Sequence, residues 1–301
     1  MLEWPSDRSA PETRMPAWKS SGSNICLDFH GDPGKADLVI FSDGNHHMAL
    51  QESIEAFCRA NPGAKVFFTT TPPGPLLEMM EQGGISLGNL VIRACPHVFI
   101  SPPHILDRLK DQGRMKSHRR LASGRGCVLL VQKGNPKKIL TVHDLKTKKR
   151  TLFISNPDQE KVSFAGYART VNALADEKLI PEEPSPGKTL SGGIPLLSGG
   201  SIHHREGPWA VAEGRADAAV LYYHLALYCK RIFPELFDMV ALGGTLENPC
   251  PLPGNRINHI HAGIVDEGGN WGSRFLEHLF SRETRKIYQN HGLDTAQGDF
   301  Q

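Results

Sequence analysis

The sequence lacks the features that mark nucleic-acid-binding or membrane-spanning proteins. Over 301 residues, 34 Lys and Arg are nearly balanced by 32 Asp and Glu, so the net charge is only +2. A nucleic-acid partner is therefore not expected, because such proteins carry a clear basic excess. No uninterrupted apolar run is long enough to cross a bilayer. Two local basic runs, 116–120 and 146–150, are interpreted as solvated faces.

Cysteine is scarce and irregularly spaced. The six cysteines form no C-x-x-C pair, which argues against a disulfide framework or a zinc finger. Cys127 lies in the apolar run Cys-Val-Leu-Leu-Val, where a free thiol behaves as a small buried hydrophobe. This usage favours a reducing compartment.

The first 23 residues are polar and Pro-rich, and they lack the apolar core of a secretory signal. We therefore expect a cytoplasmic protein if the chain is complete, and a periplasmic or secreted one if a signal peptide has been removed. Residues 1–35 are expected to form a disordered or loosely packed arm.

From residue 36 onward, short apolar runs alternate with amphipathic helices, a pattern that predicts an α/β fold with mostly parallel strands. The predicted strands are 36–41, 65–70, 98–101, 127–132, 151–154, 217–221 and 257–265. The first predicted helix follows the first strand and ends at 61–63. Further helices are predicted at 76–82, 103–112, 162–179 and 209–213, and two more near the C-terminus.

The order of these pieces resembles the type II periplasmic binding-protein family, and within it the molybdate-binding branch. The stretches that carry the resemblance are Leu38 to Phe57, Phe99-Ile100-Ser101, Val128 to Pro136 with its Lys-Gly-Asn-Pro end, and Gly214 to Tyr222. Their shared order covers most of the chain. No single stretch is diagnostic, so the order is what supports the assignment.

The resemblance implies a two-lobed fold, each lobe a mostly parallel sheet flanked by helices, with a ligand cleft between the lobes. Lobe 1 is then expected to comprise 36–125 plus 266–295, and lobe 2 to comprise 126–265. The strands 127–132 and 257–265 are the natural crossings between them.

Family members hold a tetrahedral oxyanion with hydroxyl and backbone N–H groups of loops that precede helices. Residue by residue, the matching positions here are Asn45, Thr71, Gly74, Ala165, Gly166, His204 and Tyr222. One match departs from the family, because Pro73 and Gly74 stand where paired serines are usual. Proline removes a backbone donor, which weakens the oxyanion interpretation.

Two of these loops carry a His-His pair, and each pair has an acidic residue close by in sequence. Neutral imidazole and carboxylate are the usual ligands of zinc, nickel and copper. The candidate metal ligands are His46, His47, His203, His204 and Glu206. Adjacent residues point apart in extended chain, so one histidine of each pair is expected to face the ligand. With 14 His in the chain, solvated surface pairs are the alternative.

The sequence thus predicts a transport or scavenging protein that closes on a small inorganic ion, with no required cofactor. The ion is a divalent metal or an oxyanion such as molybdate. A membrane permease is the expected partner. The protein is expected to be a monomer, and it is not expected to be an enzyme.

Two alternatives stay open. One is an enzyme on the same fold, such as the fungal thiamine-pyrimidine synthases, although the chain has no Cys cluster and no GxSxG, HExxH or P-loop. The other is an effector-sensing module, for which residues 1–35 are too short to supply a DNA-binding domain.

Overall fold

The computed structural model describes residues 17–18, 28–87, 90–158, 160–182, 192–200 and 203–295. Most of the predicted arm over 1–35 lies outside these residues. The chain divides into two compact units. Unit 1 comprises 1–122, 259–290 and 295–301, and unit 2 comprises 123–258 and 291–294.

Strands and helices alternate along most of the described chain. The strands are β1 (Ala17–Trp18), β2 (Phe29–His30), β3 (Leu38–Ser42), β4 (Val66–Thr69), β5 (Ile85–Leu87), β6 (Leu90–Ile92), β7 (Val98–Ser101), β8 (His118–Ser123), β9 (Cys127–Gln132), β10 (Leu152–Ile154), β11 (Leu196–Ser198), β12 (Ala218–Tyr222), β13 (Phe237–Ala241), β14 (His259–Ile264) and β15 (Asp294–Thr295). The helices are α1 (His47–Ala60), α2 (Pro73–Gln82), α3 (Pro103–Asp111), α4 (His143–Thr147), α5 (Lys161–Ala175), α6 (His203–Ala212), α7 (Tyr223–Ile232), α8 (Gly272–Leu279) and α9 (Arg282–Asn290).

Unit 1 is built on a sheet of order β15-β8-β14-β7-β3-β4-β2. The central strands β4, β3 and β7 run parallel, and β14 is antiparallel to β7. Every residue of β3 and β7 is buried, as is typical of parallel strands covered on both faces. On one face, Phe57 of α1 packs edge-on against Phe275 of α8, with ring centroids 5.1 Å apart. A separate small sheet has the order β1-β5-β6.

Unit 2 is built on a sheet of order β11-β10-β12-β9-β13. The strands β11, β10 and β12 are parallel, whereas β9 is antiparallel to both β12 and β13. Buried side chains from β9, β10, β12, α6 and α7 form its core. The carboxyl ends of β10 and β12 therefore lie at one edge of this sheet, where open α/β sheets bind ligands.

The predicted α/β architecture with two helix-flanked sheets is confirmed, and the strands 98–101 and 127–132 coincide with β7 and β9. The unit boundaries fall at 122–123 and 258–259, so β9 lies wholly in unit 2 and β14 wholly in unit 1. That the strands 127–132 and 257–265 cross between two lobes stays a prediction. Hydrogen-bonded pairing of β14 with β7 is what places β14 with unit 1.

Helix α6 begins six residues before the predicted helix 209–213, at His203. Gly207 and Pro208 disfavour a helix by local propensity, yet both lie inside α6 and are buried. Pro208 has no N–H to donate to the His204 carbonyl, and the Cys229 thiol lies 4.0 Å from that oxygen. Tertiary packing therefore overrides the local signal. Among the described residues, no helix is both long and apolar enough to span a membrane.

Candidate functional site

The carboxyl edge of the unit 1 sheet is lined by buried hydroxyl groups. Ser42, Thr69 and Ser101 end the parallel strands β3, β4 and β7, and each is fully buried. Within the described chain, the Ser101 hydroxyl has no hydrogen-bond partner. Since a buried hydroxyl normally finds a partner, this edge is the candidate ligand-binding edge of unit 1.

The loop after β3 is organised by Asp43. Its side chain caps a short 3-10 turn, Gly44–His46, by accepting the Asn45 N–H at 3.1 Å. Asp43 is almost fully buried, and burial raises its pKa to about 6. Its nearest ion-pair partner in the described chain is the His46 ring, with Nε2 at 4.0 Å from Oδ1.

His46 is fully buried and is bonded through both ring nitrogens. Tyr288 Oη lies 2.9 Å from Nδ1, and Ser42 Oγ lies 3.1 Å from Nε2. Ser42 donates its own hydroxyl hydrogen to the Asp43 carbonyl at 3.1 Å. Ser42 Oγ therefore accepts from Nε2–H, and Tyr288 donates to Nδ1. His46 therefore anchors the loop after β3 through its hydrogen bonds to Ser42 and Tyr288.

The other predicted residue of this loop pair, His47, is the first residue of α1. Its Nδ1–H donates to the carbonyl of Gly44 at 3.0 Å, which holds the ring against the preceding turn. Asn45 is half-buried, and its backbone N–H is used by Asp43. The structure thus brings Asn45, His46 and His47 together in one short segment of unit 1.

The loop after β4 uses its hydroxyls internally. Thr71 is fully buried, its Oγ1 lies 2.6 Å from Thr69 Oγ1, and it accepts the Asp28 N–H at 3.3 Å. Gly74 is exposed in the first turn of α2, between Pro73 and Pro75. Because both neighbours are prolines, Gly74 carries the one N–H among the first three residues of that helix.

In unit 2, His203 is buried at the start of α6, and one ring nitrogen lacks a partner. Its Nε2–H donates to the Val220 carbonyl at 2.6 Å, so Nδ1 carries a lone pair. No described group bonds to Nδ1. The ring lies near Phe153 and Tyr167, with centroids 5.6 and 4.8 Å away. Burial lowers the pKa of His203 to about 4, which keeps the imidazole neutral.

Two carboxyl groups lie beside this histidine. Glu160, just before α5, accepts the His203 backbone N–H at 3.1 Å through Oε2. The pKa of Glu160 is raised to about 7, mainly by burial and to a smaller extent by the nearby charge of Glu206, against the lowering effect of the His203 hydrogen bond. Glu206 itself accepts the Gly200 N–H at 3.2 Å. The cluster of His203, Glu160 and Glu206 is thus rich in acceptors.

Tyr222 ends β12 at the same edge of the sheet and is 9% exposed. Its ring centroid is 5.0 Å from that of Tyr167. A Cβ built on Gly166 would lie 3.5 Å from Tyr222 Oη, so the residue on α5 and the tyrosine are close neighbours. Gly166 and Tyr222, both predicted to bind the ligand, therefore lie next to each other in unit 2.

One feature of the predicted site needs correction. The segment 164–166, predicted as a ligand loop with a free backbone N–H, lies instead in the first two turns of α5. The Phe164 N–H bonds to the Glu160 carbonyl at 2.8 Å, and the N–H groups of Ala165 and Gly166 belong to the same helical ladder. They are therefore unavailable to a ligand while the helix is intact.

Sequence reasoning missed Ser155, Glu160 and Tyr167. Ser155 follows β10, is 1% exposed, and its hydroxyl has no partner within the described chain. A serine directly after an apolar strand is the signal that could have found it. Glu160 and Tyr167 carry no local signal, because their contacts to His203 come from a distant segment.

The predicted metal ligands are distributed between the units: His46 and His47 lie in unit 1, whereas His203, His204 and Glu206 lie in unit 2. His204 is half-buried on α6. The described residues contain no group of three or more His, Cys, Asp or Glu side chains arranged to hold a metal ion. A metal site built from these five residues stays a prediction.

The model of a family described as bacterial extracellular solute-binding protein matches residues 38–294. The chain belongs to that family. The predicted resemblance to periplasmic binding proteins is thereby confirmed. A search of curated protein sequences found no match for this solute-binding protein.

Solved structures share the fold at low sequence identity. The periplasmic molybdate-binding protein of Azotobacter vinelandii gives a TM-score of 0.56 at 15% identity, covering 86% of this chain and 100% of that one. Iron-bound HitA of Pseudomonas aeruginosa gives 0.58 at 16%, covering 88% and 87%. The sulfate-binding protein SubI of Mycobacterium tuberculosis gives 0.62 at 15%, covering 86% and 87%. These similarities support a shared architecture and do not identify the ligand.

Proposed function

We propose that this solute-binding protein is the ligand-capturing component of an ABC-type uptake system and that it binds a small cation, with a divalent transition metal as the first candidate. The family description favours a site of action outside the cytoplasmic membrane over the reducing compartment that cysteine usage predicted. A membrane permease is the proposed partner.

The observation that carries this proposal is that the protein's own carboxyl groups take N–H donors that an oxyanion would use. Asp43 accepts the Asn45 N–H, Glu160 accepts the His203 N–H, and Glu206 accepts the Gly200 N–H. Oxyanion sites depend on such free amides near helix N-termini. An anion that entered one of these loops would either displace the carboxyl group from the N–H donor or lie beside that carboxyl group.

Two further helix starts are poor in donors. Helix α2 begins after Pro72 with Pro73-Gly74-Pro75, and α3 begins after Pro102 with Pro103. Proline lacks an N–H, so these ends offer fewer bonds to an anion than ordinary helix N-termini do.

The charge balance supports the same conclusion. Burial raises the pKa of Asp43 to about 6 and of Glu160 to about 7, and no Lys or Arg among the described residues forms an ion pair with either. A cation placed beside a buried carboxyl group favours its ionised form. Cation binding therefore offsets part of the free energy that burial of these groups costs.

The choice of a transition metal rests on His203. Its Nδ1 is a buried lone pair without a partner in the described chain, and a neutral imidazole is a common ligand of zinc, nickel and copper. A carboxyl oxygen of Glu160 accepts the backbone N–H of His203, and the buried Ser155 follows β10 at the same edge of the sheet.

Calorimetry and thermal unfolding on chelator-stripped protein test the proposal. We expect saturable binding and a raised Tm with at least one of Zn²⁺, Ni²⁺ and Cu²⁺, and no response to molybdate, tungstate, sulfate or phosphate. Binding at pH 6.5 should release protons, because the metal displaces them from carboxyl groups with raised pKa. Titrations in two buffers of different ionisation enthalpy measure that release.

Matched variants locate the site. Glu160→Gln keeps an oxygen that accepts the His203 N–H but removes the charge, and we expect it to weaken metal binding at least tenfold. Glu177→Gln, at an exposed carboxylate paired with Lys146, is the control and should bind as the wild type does. Asp43→Asn tests unit 1 in the same way. An oxyanion response without a metal response would refute the proposal, and turnover of a substrate would favour the enzyme alternative.

A further inference from the structure

The end of unit 2 opposite the candidate ligand-binding edge carries a dense basic segment. Residues 133–150 connect β9 to β10 and contain six Lys and one Arg against one Asp. Because β9 is antiparallel to β12, this connection starts at the edge where β10 and β12 begin, away from Ser155 and Tyr222. All six lysines are exposed; together they define the basic face and are Lys133, Lys137, Lys138, Lys146, Lys148 and Lys149.

Acidic residues neutralise part of this charge. Four of the six lysines have an ion-pair partner: Lys133 pairs with Asp238, Lys137 with Asp217, Lys146 with Glu177 and Lys148 with Asp144. Asp238 is also shared with Lys230. Lys138 and Lys149 have no ion-pair partner within the described chain, so the face keeps an excess of positive charge.

Large apolar side chains are exposed at the same end. Leu140, within the basic segment, is 67% exposed, and Trp209 is 56% exposed. Lys137, three residues before Leu140, pairs with Asp217 at 3.6 Å. Two residues before Asp217, the Arg215 guanidinium lies 4.6 Å from the centre of the Trp209 ring. The basic face therefore combines flexible cations with an aliphatic and an indole side chain.

We propose that the basic face binds the surface of an anionic lipid bilayer. Lysine clusters gain attraction from acidic headgroups, and Trp and Leu side chains enter the interfacial layer beneath them. Protein interfaces are depleted in lysine and enriched in arginine, so six lysines against one arginine favour a bilayer over an acidic protein. The proposal does not depend on which solute is bound.

Vesicle co-sedimentation of the full-length protein tests this inference. We expect binding to vesicles that contain one quarter phosphatidylglycerol in phosphatidylcholine at low salt, loss of that binding in high salt, and none to pure phosphatidylcholine. Lys138→Glu combined with Lys149→Glu should lower the partition coefficient about tenfold or more. Leu140→Ser should lower it to a smaller extent.

The matched control is Lys65→Glu combined with Lys286→Glu, which makes the same change in net charge at exposed lysines of unit 1. This control should retain most of the binding. Equal losses in both double variants, or equal binding to neutral and acidic vesicles, would overturn the proposal. Binding to soluble polyglutamate without any vesicle binding would assign the face to an acidic polymer instead, and would overturn it too. Thermal unfolding checks that each variant is folded.

Discussion

Tyr288 lies 242 positions after His46 in the chain, yet its hydroxyl lies 2.9 Å from the imidazole Nδ1. Both side chains are fully buried in unit 1. The chain of donors runs from Tyr288 through His46 and Ser42 to the Asp43 carbonyl, so a residue of α9 sets the conformation of the loop after β3. The His-His pair of this loop predicted His46 as a possible metal ligand, and local spacing gave no indication of its partner Tyr288.

Replacing Tyr288 with Phe removes one buried donor and leaves Nδ1 unsatisfied. We expect a loss of about 1–3 kcal/mol in the free energy of unfolding, measured in urea. A double-mutant cycle with His46→Leu separates this bond from general packing, because the same Tyr288→Phe change should cost much less when the imidazole is absent. Equal costs in both backgrounds would show that the bond contributes nothing.

Glu160 and His203 respond to pH in opposite directions. The pKa of Glu160 rises from its ordinary value of 4.5 to about 7 on folding, so the folded state binds this proton more tightly. The free energy of unfolding therefore falls as pH rises from about 4.5 to about 7. The pKa of His203 falls from 6.5 to about 4, so its contribution is lost as pH drops through that range.

Glu160→Gln should separate the two effects. At pH 7.5 we expect the variant to be more stable than the wild type by about 1–2 kcal/mol, after allowing for solvent near this half-buried carboxyl group. Near pH 4.5 the difference should disappear, and a decline on acidification should remain, because His203 and His261 both have pKa values lowered to about 4. Urea unfolding at several pH values measures this. A constant difference at all pH values would contradict the assignment.

At the scale of elements, α6 shows how packing settles a helix that its own residues disfavour. The helix includes Gly207 and Pro208, and both are buried. A Cβ on Gly207 would lie 3.2 Å from the Ala219 Cβ and 3.3 Å from the Phe153 ring, so the small residue lets α6 approach β10 and β12 closely. Starting the helix at His203 is what brings that imidazole under the sheet edge.

The turn after β13 depends on a glycine whose conformation L-residues rarely adopt. Gly243 has φ +122°, and a Cβ there would lie 2.2 Å from the Cys250 carbonyl oxygen. We expect Gly243→Ala to lower the free energy of unfolding by about 2–5 kcal/mol, from strain plus the clash with backbone.

Gly74→Ala is the matched control for that prediction. A Cβ at Gly74 meets no atom within 4 Å, and its φ is not positive. The change should therefore shift stability by no more than about 0.5 kcal/mol. Similar losses for both glycine variants in urea unfolding would mean that the backbone at Gly243 is not constrained as the structure indicates.

At the scale of the whole molecule, the two units differ in how far apart in sequence the strands of their sheets lie. The five-stranded sheet of unit 2 is formed entirely within 123–258. Unit 1 needs two distant stretches, because β14, which follows unit 2 in sequence, pairs with β7 between residues 98 and 101. The pair of β7 and β14 can therefore form only after residues 123–258 of unit 2 have been synthesised.

Fragment expression tests this difference. We expect residues 123–258 to fold alone with a cooperative urea transition, at reduced stability because the buried Leu293 and the Arg125–Asp294 ion pair are lost. We expect residues 1–122 alone to remain unfolded or to aggregate, because the edge of β7 that binds β14 is unpaired. Circular dichroism of both fragments checks the expectation, and a cooperative transition in 1–122 would contradict it.

The sequence by itself determined the alternation of strands and helices and the bounds of β7 and β9, because each follows from apolar runs and helical periodicity that are local in the chain. The family followed from a resemblance in the order of those segments. Only the tertiary structure decided that His46 is bonded through both nitrogens, that His203 keeps an unpartnered Nδ1, and that Glu160 lies beside it. The physical reason is that hydrogen-bond partners and burial come from segments far apart in sequence. Local spacing identifies a side chain's chemistry, but the fold decides what that side chain contacts.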